Sequence, residues 1–472
     1  MAAHHIPLST AILLLVLTQC LFADDDTDKS APTKRPHIVF IMIDDLGWMD
    51  LACQGNKLVE TPNIDRLATQ GMRFTDNYAA APVCSPTRAA IMTGKAPARL
   101  RITNHLPDQK RFIPEDAKLL PAECHDHLPL EEVTIAERLK EVGYATAFIG
   151  KWHLSQRGNT KFQPEHQGFD LNIGGCDFGG PPTFFDPYRI PTIKNRKDGE
   201  YLPDRLADES IDFVTKHVET KPDKPFYLCL WNYTVHWPME APEALLEKYK
   251  DRLDHGPDEE APMGLNDTRY GAMIEAMDSA IGRILSKLDE LKIADDTLVV
   301  FTSDNGAFGG VGDNRPLRQE KGYLYEGGIR VPLIVRWPGR TNAGSVCSTP
   351  TISMDFYPTL LDVAGADLLP NDTRDGLSLL PLLHGNEIER EAICFHYPNY
   401  AFHQGNRLGS AIRMGRFKLI NFYDGKSELY DLKTDISESK DIIEKNPKQA
   451  ETMLRELADW RRKTDAAIPR QK

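Results

Sequence analysis

The sequence predicts an α/β fold, a mainly parallel central sheet sandwiched by helices, with a smaller C-terminal α+β domain. Three observations carry this prediction. Runs such as HIVFIMI (37–43), PFYLCLW (225–231) and TLVVF (297–301) are short and continuously apolar, as strands of a parallel sheet buried on both faces must be. Amphipathic segments with helix start and stop signals alternate with them. Beyond LSLLPLLHG (377–385) the pattern changes to short alternating strands and one terminal helix.

In chain order, AILLLVL (11–17) is an apolar run of signal-peptide length, too short to span a bilayer, and a polar, acidic segment follows it. We expect a signal peptide over 1–23 and export to the periplasm or outside the cell. No Lys or Arg precedes the run, and Leu21 stands where a small residue is usual. LTQC (17–20) offers lipid anchoring as a minor alternative, with Gln19 replacing the small residue before the cysteine. Residues 24–35 are charged and apolar-poor, a solvated linker.

The large domain is expected over 36–385. After its first strand, Thr61 is placed to cap a helix that has Pro62 at its first position and Gly71 at its end. Thr134 and Glu137 form a capping box, Gly143 stops that helix, and a strand runs from Tyr144 to about Ile149. LADESIDFVTKH (206–217) and AMIEAMDSAIGRILSKLDEL (272–291) are amphipathic helices that each lead into a further strand. The smaller domain, 386–472, is expected to hold strands within SAIRMGRFKLINFY (410–423) and SELYDL (427–432), and a helix near 447–463.

Composition excludes several roles. The formal net charge is −13 with no Lys/Arg-rich run, so no nucleic-acid partner is expected. No second apolar run supports a transmembrane span. Eight cysteines in 472 residues are too sparse for a disulfide scaffold, and no CxxC pair suggests structural zinc. Any pairing among Cys53, Cys124, Cys176, Cys229, Cys347 and Cys394 stays open.

In open α/β sheets the ligand lies beyond the carboxyl ends of the strands. Asp44 and Asp45 end the first strand, and Asp304 and Asn305 end the strand that begins at Thr297. If these strands are parallel neighbours, three carboxylates and an amide converge, an all-oxygen set suited to a hard cation such as Ca²⁺ or Mg²⁺. Each pair could equally cap the turn after its strand, with Gly47 and Gly306 marking the turns. Lys151 and His153 follow the strand ending at Ile149, His236 follows the one ending at Trp231, and Lys321 lies in the loop EKGYLYEGG. Each alone reads as an ordinary surface or packing residue; their shared location marks them.

Cys84 opens a helix with Pro86 in its first turn and Gly94 near its stop, and Arg88 shares its face four positions on. A helix N-terminus beside a guanidinium is a ready anion site. A soft thiol does not belong beside a hard cation. Here CSPTR (84–88), continued by AAIMTGKAPARLRIT, resembles the C-x-P-x-R signature of the type I sulfatases, in the wider alkaline-phosphatase-like group. The segments IDDLGWMDL, TPNIDRLATQGMRFTDNYA, GYATAFIGKWHL, FTSDNG and KGYLYEGGIRVPLIVRWPG also look like that family's blocks, in its order.

The resemblance implies that a formylglycine-generating maturation enzyme oxidises Cys84 to formylglycine, whose hydrate is the nucleophile. It implies that Asp44, Asp45, Asp304, Asn305 and residue 84 hold one Ca²⁺. Asp304 would be the base, Arg88, Lys151 and Lys321 would neutralise the sulfate, and His236 would protonate the departing alkoxide. His153 would take the proton of the remaining hydroxyl, expelling sulfate and restoring the aldehyde.

Two other readings compete: a phosphodiesterase or phosphonate monoester hydrolase of the same group, and an inactive protein that binds sulfated glycans. The substrate is expected to be a sulfated small molecule or oligosaccharide, carbohydrate rather than lipid. His105, Trp237, and His396 and His403 in FHYPNYAFHQGN (395–406) are candidate sugar-facing groups, and the Gly- and aromatic-rich stretch 165–188 looks like that of carbohydrate-acting relatives. NYT (232), NDT (266) and NDT (371) are glycosylation sequons.

Overall fold

Seven strands of one eight-stranded sheet run in the same direction and one runs against them. In this computed structural model residues 1, 34–107, 109–253, 267–368, 373–402 and 405–472 are described. The expectations for the signal peptide, the 266 and 371 sequons and His403 lie outside them. Across the sheet the order is Ser345–Cys347, Met72–Phe74, Leu333–Arg336, Thr297–Ser303, His37–Ile43, Phe226–Trp231, Ala145–Gly150 and Leu171–Ile173. The reversed strand is Leu333–Arg336, antiparallel to both neighbours.

Alternation along the central strand divides the core. Val39, Ile41 and Ile43 pack under the helices Pro62–Gln70, Leu202–Thr220 and Thr268–Glu290. Ile38, Phe40 and Met42 pack on the other face, against Cys84–Thr93, Ile135–Glu141 and Phe356–Ala364. A strand buried on both faces has no polar side, which is why these runs read as continuous apolar stretches.

The expected helices are present, but Leu202–Thr220 and Thr268–Glu290 each begin four residues before the segments read from the sequence. Thr134 and Glu137 form both halves of the capping box. Thr61 precedes Pro62 but makes no capping bond; its hydroxyl donates to Asp65 and accepts from the Ala52 amide. Gly94 takes a left-handed φ of 68° and returns its N–H to Ala90, closing the helix from Cys84.

The C-terminal strands Ile393–Tyr397, Gly409–Met414, Phe417–Phe422 and Ser427–Asp431 form an antiparallel sheet in that order. One face carries Ile412, Leu419 and Leu429 against Met453 and Leu457 of the helix Pro447–Lys463. The other carries Ala411, Ile420 and Phe422 against Tyr78, Ala80 and Val83, just before the helix of Cys84. No disulfide joins two of the described cysteines. Among the described residues no helix is long and apolar enough to cross a membrane.

Candidate active site

Strand register brings the site together. Ile43 pairs with Ser303, Met42 with Trp231, and Gly150 with Trp231, so Asp44, Asp304, Asn232 and Lys151 leave the sheet level with one another. The residues read from strand ends therefore converge, and the helix Cys84–Thr93 points its first residue into the same space.

Cys84 Sγ lies 3.6 Å from Asp44 Oδ1 and 3.3 Å from Lys151 Nζ. Lys151 donates to Asp44 Oδ2 at 2.6 Å, and Lys321 donates to Asp45 Oδ2 at 2.7 Å. Asn305 Nδ2 donates to Asp45 Oδ1 at 2.7 Å. One oxygen each of Asp44 and Asp304 lies with Cys84 Sγ inside a 4.8 Å group, as do Asp45, Cys84 and His236. Asn305 Oδ1 is buried with no hydrogen-bond partner, so the donor set has a spare hard oxygen aimed at no protein group. Three carboxylates and this amide oxygen fit a hard divalent cation; the sulfur of Cys84 is the one member that does not.

Arg88 lies against the carboxylates. Its guanidinium is fully buried and donates to Asp304 Oδ2 through Nε (2.9 Å) and Nη2 (2.7 Å), and to the Lys151 carbonyl (2.5 Å). It stacks over Trp231 at 5.3 Å and does not line the cavity. Arg88 thus sits behind the carboxylates, bonded to Asp304 and 3.5 Å from Asp44 Oδ1.

Burial and charge set the protonation states. Burial pushes Asp44 up to about 7 against the opposing pull of Lys151. Burial also acts to raise Asp45, but Lys321, His236 and Lys151 outweigh it and hold that carboxyl well below its usual range. Arg88, then Lys151, do the same for Asp304. This keeps Asp304 ionised, the form that a metal ligand and a base both require. Burial pushes the Cys84 thiol up to about 12 despite Lys151 and Lys321, so as a cysteine it is a protonated, weak nucleophile.

Both imidazoles line the cavity. His236 Nδ1 lies 2.9 Å from the Trp237 carbonyl and must carry its proton, which leaves Nε2 facing Asp45 Oδ2 at 3.7 Å. Burial, then Lys321, lower its pKa to about 3. His153 Nε2 donates to the Leu106 carbonyl, leaving Nδ1 buried without a partner. Burial, then Lys151 and Arg88, hold this ring neutral, so Nδ1 is an available proton acceptor. Asp45 and His153 have left-handed φ values of 64° and 57°, an uncommon conformation for such residues.

A cavity of about 440 Å³ opens above Cys84. The expected His105 and Trp237 line it. Burial, with Lys321 and Arg111 nearby, lowers His105 to about 3. His396 is not on its wall: Nδ1 pairs with Ser410 and Nε2 with the Ala467 carbonyl, so this ring is satisfied inside the C-terminal sheet. Sequence reasoning marked the runs that hold Gly179, Gly180 and Phe402 without singling these residues out, and it missed Arg111, Phe112 and Phe308; with Leu106 and Pro107 they complete the lining. The Gly- and aromatic-rich stretches around 179 and 402 were the available signal. Also missed were the supports. Ser85 Oγ joins the His153 carbonyl to the Leu106 amide, and the Tyr270 hydroxyl sits between the Asp45 carbonyl and buried Asp50. Asn232, a sequon residue, is itself buried and not accessible for glycosylation in the folded chain.

The family model described as Sulfatase matches residues 36–366, and one described as N-sulphoglucosamine sulphohydrolase, C-terminal, matches 318–463. Steryl-sulfatase of Mus musculus is 33% identical over 504 residues, covering 88% of this chain and 76% of its own length. N-acetylgalactosamine-6-sulfatase of Canis lupus familiaris is 34% identical over 412 residues, covering 81% and 71%. The crystal structure of Ps i-CgsB in complex with k-i-k-neocarrahexaose superposes with a TM-score of 0.76 at 30% identity, covering 90% of this chain and 92% of that one. The chain belongs to the sulfatase family of the alkaline-phosphatase-like superfamily, and it is a sulfuric ester hydrolase.

Proposed function

We propose that this enzyme hydrolyses sulfate monoesters of carbohydrates, with residue 84 oxidised to formylglycine and one Ca²⁺ held by Asp44, Asp45, Asp304 and Asn305. Formylglycine supplies a hydrated aldehyde with two hydroxyls on one carbon, and Ca²⁺ supplies a Lewis acid for the sulfate oxygens. The observation that carries this reading is the mismatch at Cys84: a thiol held protonated sits among hard oxygen donors, beside an amide oxygen with no partner.

The chain's other residues have work that fits. Lys151 and Lys321 reach the position above residue 84 and balance the charge of the bound sulfate. Arg88 fixes Asp304. His236 presents Nε2 toward the cavity, and the negative charge of a bound sulfate ester favours the protonated ring that an acid for the leaving oxygen requires. His153 Nδ1 accepts a proton from residue 84 when sulfate leaves.

The carbohydrate assignment rests on the cavity wall. Phe112, Phe308, Phe402 and Trp237 offer flat rings, and His105 and Arg111 offer polar edges, the mixed lining that suits a sugar better than a sterol. The relatives' names point both ways, toward a steryl ester and toward N-acetylgalactosamine. We favour free sulfated mono- or oligosaccharides of the galactose type. Export to the periplasm or cell exterior, and dependence on a formylglycine-generating partner, belong to the same reading.

Mass analysis of the peptide carrying residue 84 tests the nucleophile: active enzyme should show aldehyde in place of thiol, and a fully active enzyme with unmodified Cys84 would refute it. A panel of defined sulfated sugars beside aryl and steryl sulfates tests the substrate. Sugar sulfates should give the highest kcat/KM.

A further inference from the structure

The segment CDFGGPP (176–182) places two consecutive glycines against the two imidazoles of the site, and neither glycine is needed there for its backbone freedom. Neither Gly179 nor Gly180 has a φ in the left-handed range. What they supply is space. A Cβ on Gly179 would stand 3.0 Å from Cε1 and 3.0 Å from Nε2 of His153. A Cβ on Gly180 would stand 2.6 Å from His236 Nδ1, 3.0 Å from its Cε1 and 2.9 Å from the Trp237 carbonyl oxygen. Both glycines line the cavity above residue 84.

Neither ring can step back without giving up the bond that fixes its tautomer. His153 is tied to the Leu106 carbonyl, and the Leu106 amide is tied to Ser85 beside residue 84. His236 is tied to the Trp237 carbonyl, which is itself within the reach of the added Cβ. The glycine segment is anchored as well: Pro181 and Pro182 restrict its exit, and Glu240 accepts from the Thr183 hydroxyl and the Phe184 amide. The loop of His236 and the loop of the glycines are therefore pinned together, with bare backbone facing each ring.

We propose that Gly179 and Gly180 are positioning residues that seat the two imidazoles separately, Gly179 for His153 and Gly180 for His236, so that each glycine governs a different half of the turnover. This rests on the formylglycine reading above. In the first half, a hydroxyl oxygen of residue 84 bonds to sulfur and loses its proton to the carboxylate cluster. The bond from sulfur to the alcohol oxygen breaks, and that oxygen takes a proton from His236 Nε2. In the second half, the remaining hydroxyl of residue 84 gives its proton to His153 Nδ1. The carbon–oxygen double bond forms, and the bond to sulfate breaks with its electron pair leaving on sulfate.

Gly180→Ala should slow alcohol release about 100-fold, the scale of a misplaced catalytic group, with no burst. Gly179→Ala should leave the first alcohol fast and slow sulfate release. It should show a burst approaching one alcohol per active site, a lower steady rate, and a residue-84 peptide that carries sulfate when turnover is quenched. Crystal structures should show the His236 ring displaced in the first variant and the His153 ring in the second.

The double variants protect the test against a general loss of structure. Gly180→Ala should add nothing in a His236→Ala background, and Gly179→Ala nothing in a His153→Ala background. Additive losses in these pairs, the same burst behaviour in both single variants, or unmoved rings would overturn the proposal. Wild-type enzyme with unmodified Cys84 and full activity would instead overturn the reading beneath it. The mass of the residue-84 peptide separates the two failures.

Discussion

Two buried clusters in this molecule each hold three carboxylates and three cations, and they are built for opposite ends. At the strand ends, Asp44, Asp45 and Asp304 meet Lys151, Lys321 and Arg88. Where the C-terminal sheet joins the large sheet, Asp76, Glu326 and Glu438 meet Lys418, Arg330 and Arg413. Lys418 lies 2.9 Å from both Glu326 and Glu438, and Arg413 lies 2.6 Å from Asp76. The joint cluster does not touch the cavity. The catalytic cluster opens on it and leaves Asn305 Oδ1 and His153 Nδ1 without partners. Equal charge counts thus separate by where the clusters lie: the joint cluster sits between two sheets, its Glu438 Oε1 without a hydrogen bond but 2.9 Å from Lys418 Nζ, whereas the other borders the cavity.

The comparison breaks most sharply at residue 84. Cys84→Ala should lower turnover by about 10⁴-fold or more, while urea denaturation shifts by less than about 1.5 kcal/mol. Retained turnover would mean that the open cluster does not need its helix-borne residue. Lys418→Met should do the reverse. Removing one partner of a buried pair costs about 3–5 kcal/mol, with kcat per folded molecule changed less than about 10-fold. The sign with pH follows from Glu438, which burial pushes up to about 7 with Lys418 opposing. A carboxyl whose folded pKa is raised binds its proton more tightly in the folded state, so the penalty should shrink as pH falls below about 7 and grow above it. Lys418→Met with Glu438→Gln should recover the part of the loss that Glu438 carries and leave the part due to Glu326, which Lys418 also holds at 2.9 Å; no recovery would show that Glu438 is not a partner of Lys418.

Asp44→Asn tests the open cluster from within. Burial already pushes this carboxyl up to about 7, so the amide should leave the metal-free protein as stable or more stable. kcat/KM should fall about 10²- to 10³-fold. Ca²⁺ at 100 times its Kd should add about 2.7 kcal/mol to the wild-type protein, and the variant should lose much of that increment. An unchanged Ca²⁺ response would remove Asp44 from the ligand set.

How much of this was legible in the sequence depended on whether a signal was local. Asp44 and Asp304 announced themselves because a charge that ends a continuously apolar strand has one side to face. The capping box at Thr134 was likewise a matter of four residues. Arg88 was placed on the correct helix face, but its partner Asp304 comes from a strand more than two hundred positions on, so that bond was not readable. Thr61 showed the opposite failure: the cap signal was present, but Asp65 in the helix's own first turn and the Ala52 amide took the hydroxyl. His396 and Phe402 come from one histidine- and aromatic-rich run. His396 lies in a strand and its ring is absorbed by Ser410 and Ala467, whereas Phe402 lies in the loop beyond and reaches the cavity. Composition marked the run, but only the fold could divide it.

The smallest expected effect is at the rim. Trp237 is 40% exposed although it borders the cavity, and Arg269 lies 5.8 Å over its ring, so the ring is held at the mouth without being part of the core. Truncation should therefore cost less than about 0.5 kcal/mol of stability. If the ring is a platform for sugar, Trp237→Ala should raise KM for a sulfated oligosaccharide about 10-fold, near 1.4 kcal/mol, with kcat kept. A small aryl sulfate, which need not reach the rim, should be unaffected. A fall in kcat on both substrates would give the ring a different job: its carbonyl holds His236 Nδ1, and the loss would then be felt at the imidazole rather than at the substrate. The KM-against-kcat split on two substrates decides whether the open cluster ends at His236 or extends to the aromatic rim.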